Sequence, residues 1–362
     1  MNDSLLISNY YLSLWEVLFA LSIVVGGKVV GGYVMKYVYD FVRDDDSADR
    51  TAPHKAPPGR RQAIPARTLL WGGLAGLFIV SGLLQIRPLL VTATPELVAA
   101  AVAPASAGPW VHSVVMNGAR IWFSDATASN IISVIAQWSL ASLLWLGRDR
   151  LVGTIGLYLT VALSVLEWVF GEGFGHLAAG AGYWTGAPGA ALLFALGAVL
   201  LLVTEDAWRS GAVRRAGMRA TAVYWALGAA LQLLRMAQWP RLASEIARFD
   251  GHYARLGLIV LAPGVAGAGS ASASVFWSAA ALAAMLLLCA LMWRTRWQAV
   301  GALLSLLAVL LAWVVVGGFG SAVHFAENAG GFPIFAVLLL SVWYAPREGA
   351  PQETVAASER GA

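Results

Sequence analysis

Residues 168–175 read WVFGEGFG, and residues 313–320 read WVVVGGFG. The two strings lie 145 positions apart (313 − 168), and the same shift aligns Gly156 with Gly301 without a gap. Agreement of rare tryptophan and glycine positions in a single register predicts a tandem duplication. Two interpretations of the string itself stay open. It either ends a helix and turns the chain, as glycine and an interfacial tryptophan favour, or it lines a ligand site with exposed backbone amides.

The composition predicts an integral membrane protein. Of the 362 residues, 59% are hydrophobic and 12% are charged, whereas a soluble domain carries roughly 25% charged residues. The mean hydropathy is +0.70, and several apolar runs approach the roughly 20 residues that span a bilayer as a helix. The net charge is +4 with dispersed arginines, which excludes a nucleic-acid surface, and the single Cys289 excludes an intrachain disulfide.

The fold class that follows is all-α, a polytopic bundle of nine spanning helices. Their predicted bounds are 12–34, 68–87, 128–147, 151–170, 186–204, 220–238, 273–292, 297–315 and 332–345. Lys and Arg concentrate in the connections of one side, among them the turns at Arg148 and Arg294. We therefore expect the N-terminus outside and the C-terminus in the cytoplasm. Residues 1–12 contain Asp3 but no Lys or Arg, so no cleavable signal peptide is expected.

The domain organisation follows from the duplication. We expect an N-terminal transmembrane helix in 1–40, a charged, proline-rich cytoplasmic linker in 41–66, one four-helix repeat in 67–205, a second in 206–346 and a disordered cytoplasmic tail in 347–362. Because four is an even number, both repeats enter the membrane from the same side. The duplication is then parallel, with its axis along the membrane normal.

The first helices of the two repeats match less closely than the third. Trp71 is matched with Trp225, and the string QIRP with the string QWP. The connections that follow, 91–124 and 241–270, mix short apolar stretches with Pro and Gly. We expect them to be interfacial or re-entrant caps over the outer face and not spans.

Polar residues crowd the predicted outer half of the spans, where burying a charge costs roughly 2.5–3.5 kcal/mol. The candidate ligand-binding residues are Gln85, Arg87, Glu167, Glu172, Arg235 and Gln238. Gln232 accompanies them. These groups either reach the lipid headgroups or form a pocket between the repeats that holds an anionic or quinone headgroup, with Glu167 as its counter-ion.

A second candidate set consists of imidazoles and carboxylates in the outer connections. Its members are Glu172, His176, His324 and Glu327. Such groups suit zinc, copper or a haem iron, but they lie in separate connections and match no metal motif. They are either a metal site or solvated loop residues. The sequence thus leaves the cofactor open between a quinone, a haem and a metal.

Residues 66–88 read ARTLLWGGLAGLFIVSGLLQIRP, with Arg67 at the entry, paired glycines at 72 and 73, and a polar exit. This stretch resembles the first helix of DoxX/DoxD-like membrane proteins, except that Gln85 stands where that family usually has a lysine. The resemblance implies a bacterial inner-membrane protein that serves a quinone-linked redox or thiol-stress complex. It transfers no catalytic residue.

Three classes of function remain open. The chain is a redox-associated subunit that binds a quinone or metal on the outer side, a small-solute or ion permease with a path between the repeats, or a structural partner without a ligand. It contains no Walker loop, dinucleotide fingerprint, HExxH or nucleophile elbow, so we expect it not to be an enzyme by itself. Its expected partners are the lipid bilayer and a membrane redox protein, and its oligomeric state is open.

Overall fold

A computed structural model describes residues 65–86, 109–148, 150–175, 187–237, 271–315 and 331–347. Contacts divide the chain into two compact units, 1–63 and 64–362, and every described residue belongs to the second. The predicted first span, 12–34, lies outside the described residues, as does the linker up to its last two positions.

The described residues are helical and form no strand. The helices are α1 Pro65–Gln85, α2 Pro109–Ser124, α3 Ala126–Leu146, α4 Leu151–Leu166, α5 Ala190–Leu202, α6 Glu205–Arg209, α7 Ala212–Ala237, α8 Ala271–Trp293, α9 Gln298–Val315 and α10 Gly331–Tyr344. Helix α4 continues as a π-helical turn over Glu167–Gly171, and a 3-10 turn over Thr295–Trp297 precedes α9. Every predicted span after the first overlaps one of these helices, with ends that agree to within about four residues, except that α7 begins eight residues before the predicted span 220–238 (220 − 212).

Local sequence explains where the helices begin and end. Pro65 opens α1 at a position where its missing N–H is harmless. The Asp125 side chain accepts a hydrogen bond of 2.9 Å from the Ala128 N–H and so caps α3, which ends at Gly147. Gly211 takes a positive φ of 77° between α6 and α7, an angle that glycine adopts without strain.

Several helices are suited to a membrane. Three are long and apolar enough to cross one, over Ala66–Leu83, Ala126–Leu146 and Leu151–Gly171, and the pair α8 and α9, bent by 110°, adds a fourth if it counts as one span. Helices α5 and α10 are apolar but shorter. Large apolar side chains are exposed along α4, among them Leu159, Leu163 and Leu166. Soluble monomers rarely expose such continuous apolar surfaces, so the described part is that of a helical, membrane-associated protein.

The helices pack in two rings with the same order of neighbours. In the first bundle α1 contacts α3, α3 contacts α4, α4 contacts α5 and α5 contacts α1. In the second bundle α7, α8, α9 and α10 contact one another in the same cycle. Helix α10 also packs on α1 and α5, so it joins the two bundles. The predicted cap includes α2, which packs on the π turn at the end of α4.

Glycines bring the second and third helices of each bundle into close contact. A Cβ added at Gly156 would lie 3.0 Å from the Leu143 Cβ, and a Cβ added at Gly301 would lie 3.0 Å from the Leu291 Cβ. The glycines are 145 residues apart (301 − 156), the shift seen in the sequence, and the leucines are 148 apart (291 − 143). The same small-residue contact therefore occurs at the same place in both bundles.

Arginines tie the helix ends together at one end of the fold. Arg67 at the start of α1 donates to the Leu201 carbonyl at the end of α5, at 3.4 Å. Arg214 at the start of α7 donates to the Trp343 and Ala345 carbonyls at the end of α10. The last carbonyls of a helix lack partners within the helix and carry partial negative charge, so a guanidinium stabilises them.

These contacts place the first helices in a different register from the sequence match. Arg67 and Arg214 are 147 residues apart, as are Gln85 and Gln232, whereas Trp71 and Trp225 are 154 apart. The two registers differ by seven residues, which is close to two helical turns, so both bury the same face. The contacts of Arg67 and Arg214 with a helix end agree with a separation of 147.

Candidate functional site

The string WVFGEGFG forms a folded turn at the end of α4. After the π turn, Gly173, Phe174 and Gly175 all take positive φ values, of 53°, 62° and 66°. A Cβ at Gly175 would collide with the Pro188 carbonyl oxygen, so this position needs glycine on two grounds. The Trp168 indole N–H donates to the same Pro188 oxygen at 2.7 Å. The sequence assigned Trp168 to the lipid headgroup layer, but its polar atom binds the start of the next helix.

Aromatic rings close this turn from outside. The Phe174 ring packs edge-on against Trp168, at 5.3 Å between centroids, and against Trp110 of α2, at 5.0 Å. Farther along α2, Gly118 lies against Phe170. Helix α2 therefore covers the end of α4.

Glu172 is the buried charged residue of the described part of the chain, with 2% of its surface exposed. Its Oε1 accepts a hydrogen bond of 3.1 Å from the Ala191 N–H in the first turn of α5. A Cβ added at Gly189, where φ is 97°, would collide with Oε2, so glycine makes room for the carboxylate. Free N–H groups and the positive end of the helix dipole both favour a carboxylate there. Glu172 thus caps α5 from a neighbouring loop.

Gln85 is likewise used by the fold. Its side chain donates to the Asn130 Oδ1, and the Asn130 side chain donates to the Gln85 carbonyl at 2.9 Å. Both residues are buried, with exposed fractions of 6% and 0%. The pair joins the outer end of α1 to the start of α3, because buried amides are costly unless they are hydrogen-bonded.

The remaining candidates are only partly described. Glu167 opens the π turn with an exposed side chain, and its carbonyl accepts from the Glu172 N–H at 2.8 Å. Arg235 lies in the last turn of α7, and its side chain is outside the description. The candidates that lie outside the described residues are Arg87, Gln238, His176, His324 and Glu327. Within the described residues, no three His, Cys, Asp or Glu side chains form a group that would hold a metal.

The structure singles out Gln232, which the sequence noted without placing it in the site. The side chain is 5% exposed, and its Oε1 accepts no hydrogen bond from the described residues. Seven residues earlier on the same face of α7, Trp225 is buried and its indole N–H donates to the Ser305 Oγ at 2.9 Å. The sequence signal that points to Gln232 is its distance of 147 residues from Gln85, the same distance that separates Arg67 from Arg214.

Aromatic rings line the interior of the second bundle next to Trp225. The Tyr224 and Phe335 rings stack at 4.5 Å, and Trp225 meets Phe335 edge-on at 5.8 Å. This bundle therefore combines aromatic rings that pack on one another with a buried amide farther along α7. Comparison of the chain with protein-family models, with curated proteins and with solved structures finds no match.

Proposed function

We propose that this chain is a bacterial inner-membrane protein, resembling DoxX-like proteins, that holds a quinone-type ligand in its outer half as a non-catalytic subunit of a redox complex. In this proposal nine helices span the membrane, with the N-terminus outside and the C-terminus in the cytoplasm. One leading helix precedes two parallel four-helix repeats, 67–205 and 206–346. The partner is a membrane redox protein.

The duplication is supported by contacts that recur between the two bundles. Both rings have the same order of neighbours, and a glycine of the third helix meets a leucine of the second at Gly156 and Leu143 and again at Gly301 and Leu291. Four helices per repeat give both repeats the same sidedness. The proposed orientation rests on the arginines at one end of the fold.

The ligand is argued from the buried amide of Gln232. In the first bundle the corresponding Gln85 is held by Asn130, so its amide serves packing. At Gln232 the Oε1 accepts no hydrogen bond from the described residues, although only 5% of the residue is exposed. A buried acceptor without a donor costs about 1–3 kcal/mol, and a ligand that supplies a donor removes that cost.

A quinone and its reduced form fit this chemistry. A carboxamide both accepts and donates, so Oε1 accepts from a quinol hydroxyl and Nε2 donates to a quinone carbonyl. Tyr224 and Trp225 lie eight and seven residues before Gln232 on α7, about 10–12 Å along the helix axis. With Phe335 they are the aromatic rings of this bundle that a ligand ring would meet offset or edge-on. Its apolar tail suits the membrane.

The test also distinguishes two alternative functions, a permease and a structural partner without a ligand. A permease requires polar groups along a route between the two faces, whereas Glu172 is the buried charged residue of the described part and caps a helix. A structural partner without ligand is favoured by the packing roles of Gln85 and Glu172. The two differ at Gln232: ligand binding requires its amide, whereas a structural partner does not.

The test is ligand binding by the detergent-purified protein. Lipid extracts are analysed for quinones by mass spectrometry, and decylubiquinol is titrated while thermal unfolding is followed. We expect quinone in the extract and a rise in the melting temperature as decylubiquinol is added. Gln232→Leu should lower the affinity for decylubiquinol about two- to tenfold, since a neutral hydrogen bond contributes about 0.5–1.5 kcal/mol.

The matched control is Gln137→Leu in α3. Gln137 is half-buried in the first bundle and donates to the Ser133 Oγ at 3.3 Å. Its Oε1, like that of Gln232, accepts no hydrogen bond from the described residues, so it tests whether a buried acceptor without a donor is enough to bind the ligand. We expect its replacement to leave decylubiquinol binding unchanged. A quinone-free extract together with no response of the wild-type protein to decylubiquinol would overturn the proposal. If Gln232→Leu is then also more stable than the wild type, the structural-partner alternative holds.

A further inference from the structure

A short turn between α8 and α9 concentrates arginine and tryptophan on the surface. Residues 293–297 read WRTRW, and every side chain of the turn is exposed. Trp293 and Trp297 are 63% and 44% exposed, which is unusual for so large an apolar side chain in a folded protein. The Arg296 guanidinium lies over the Trp297 ring, 5.9 Å from its centroid.

Indole and guanidinium together suit the headgroup layer of a bilayer. Tryptophan favours the membrane–water interface because its ring is apolar and its N–H is polar. Arginine binds phosphate through a planar fork of N–H donors. In this turn Arg294 and Arg296 lie between two exposed tryptophans. The turn therefore places N–H groups that donate to phosphate at the depth of the lipid phosphates.

The charge at this end of the fold is strongly positive. Exposed arginines accompany the turn at the other helix ends that lie here, namely Arg150, Arg215 and Arg347. The acidic residues described nearby are Glu205, which is bound to Arg209 at 2.5 Å, and the exposed Asp206. Burial lowers the pKa of the Arg214 guanidinium, and the charge of Arg347 lowers it further, which reflects how closely the cations are gathered.

The equivalent turn of the first bundle differs. There Arg148 donates to the Thr68 Oγ1 on α1, so its guanidinium holds two helices together. Arg294 and Arg296 are both exposed, and neither forms an ion pair with the described acidic residues. Both arginines of the second turn are thus exposed, whereas the first turn has one exposed arginine, Arg150, and one that binds α1.

From this arrangement we infer that the WRTRW turn binds the phosphate headgroup of an anionic phospholipid, in the leaflet that faces the basic end of the fold. Arg294 and Arg296 contact the phosphate, while Trp293 and Trp297 lie against the glycerol backbone and upper acyl chains. The binding does not depend on the quinone proposal, because it uses neither Gln232 nor the outer half of the helices.

The test compares lipids retained by the full chain. The protein is placed in nanodiscs of phosphatidylglycerol and phosphatidylcholine in equal amounts, released, and analysed by native mass spectrometry. We expect phosphatidylglycerol to be enriched over phosphatidylcholine. Arg294→Gln and Arg296→Gln should each reduce that enrichment about fivefold, since a basic residue near an anionic surface contributes about 1 kcal/mol.

The control is Arg120→Gln on α2, because Arg120 is also exposed but lies away from this turn. We expect it to leave the enrichment unchanged. The double variant Arg294→Lys with Arg296→Lys keeps both charges and should keep most of the enrichment, and its melting temperature in pure phosphatidylcholine reports whether the turn still folds. Equal enrichment in the wild type and the glutamine variants would overturn the inference. So would displacement of the lipid by inorganic phosphate beyond that caused by chloride at the same ionic strength, which would indicate a site for free phosphate.

Discussion

Replacing Glu172 tests the role that the structure gives to the one acidic residue buried in its described part. Its Oε1 accepts from the Ala191 N–H at 3.1 Å, and the residue is 2% exposed. A hydrogen bond to a charged group contributes about 1.5–3 kcal/mol, and loss of a helix cap costs about 0.5–2 kcal/mol. We therefore expect Glu172→Ala to destabilise the protein by about 2 kcal/mol. Glu172→Gln keeps an acceptor oxygen but loses the charge, so about half that loss is expected.

The assay is thermal unfolding in detergent, followed by far-ultraviolet circular dichroism. At about 2–4 °C per kcal/mol for a domain of this size, Glu172→Ala should lower the melting temperature by about 4–8 °C. Glu167→Ala is the matched control, because Glu167 lies five residues earlier with an exposed side chain, and it should melt like the wild type. Equal melting temperatures of Glu172→Ala and the wild type would refute the capping role of Glu172. So would stabilisation of the wild type, but not of the variant, by added zinc.

Three further outcomes follow from the packing. Gly301→Leu should destabilise the protein by about 1–3 kcal/mol through overpacking, whereas Gly76→Leu, with nothing within 4 Å of its added Cβ, should be tolerated; equal melting temperatures would contradict the helix contact. Ser305→Ala removes the acceptor of a buried indole N–H and should cost about 1–3 kcal/mol in chemical denaturation, with an unchanged midpoint as the contrary result. Reporter fusions at Arg148 and Arg294 should report the same side of the membrane, and opposite sides would rule out a parallel duplication.

Helix positions could be predicted from the sequence because they depend on local information. Long apolar runs, the proline at the start of α1 and the glycine after α3 all act within a few residues of the helix end. The 145-residue register matched Gly156 with Gly301 but predicted no contact at either glycine, and in the structure both lie where an added Cβ would meet a leucine of the preceding helix. The small size of glycine is visible in sequence, although its neighbour is not.

The partners of the polar residues could not be predicted. Glu172 and Ala191 are 19 residues apart, and Gln85 and Asn130 are 45 apart, with connections of unknown path between them. Whether a buried polar group binds a ligand or another part of the chain depends on that path. The register between the first helices stays a prediction for a related reason: a shift of two turns preserves the buried face, so matching Trp71 with Trp225 does not distinguish the two registers.

Helix α10 has a consequence for the order in which the protein assembles. It is the last described helix, yet its Val337 lies against Gly73 of α1, the first described helix, and its Val342 lies against Gly217 of α7. During synthesis Gly73 of α1 lacks its Val337 contact until more than 250 further residues have been made (337 − 73). A ribosome that stops before Gly331 therefore leaves the second bundle without its fourth helix, and it leaves α1 of the first bundle without the side chain that packs on Gly73.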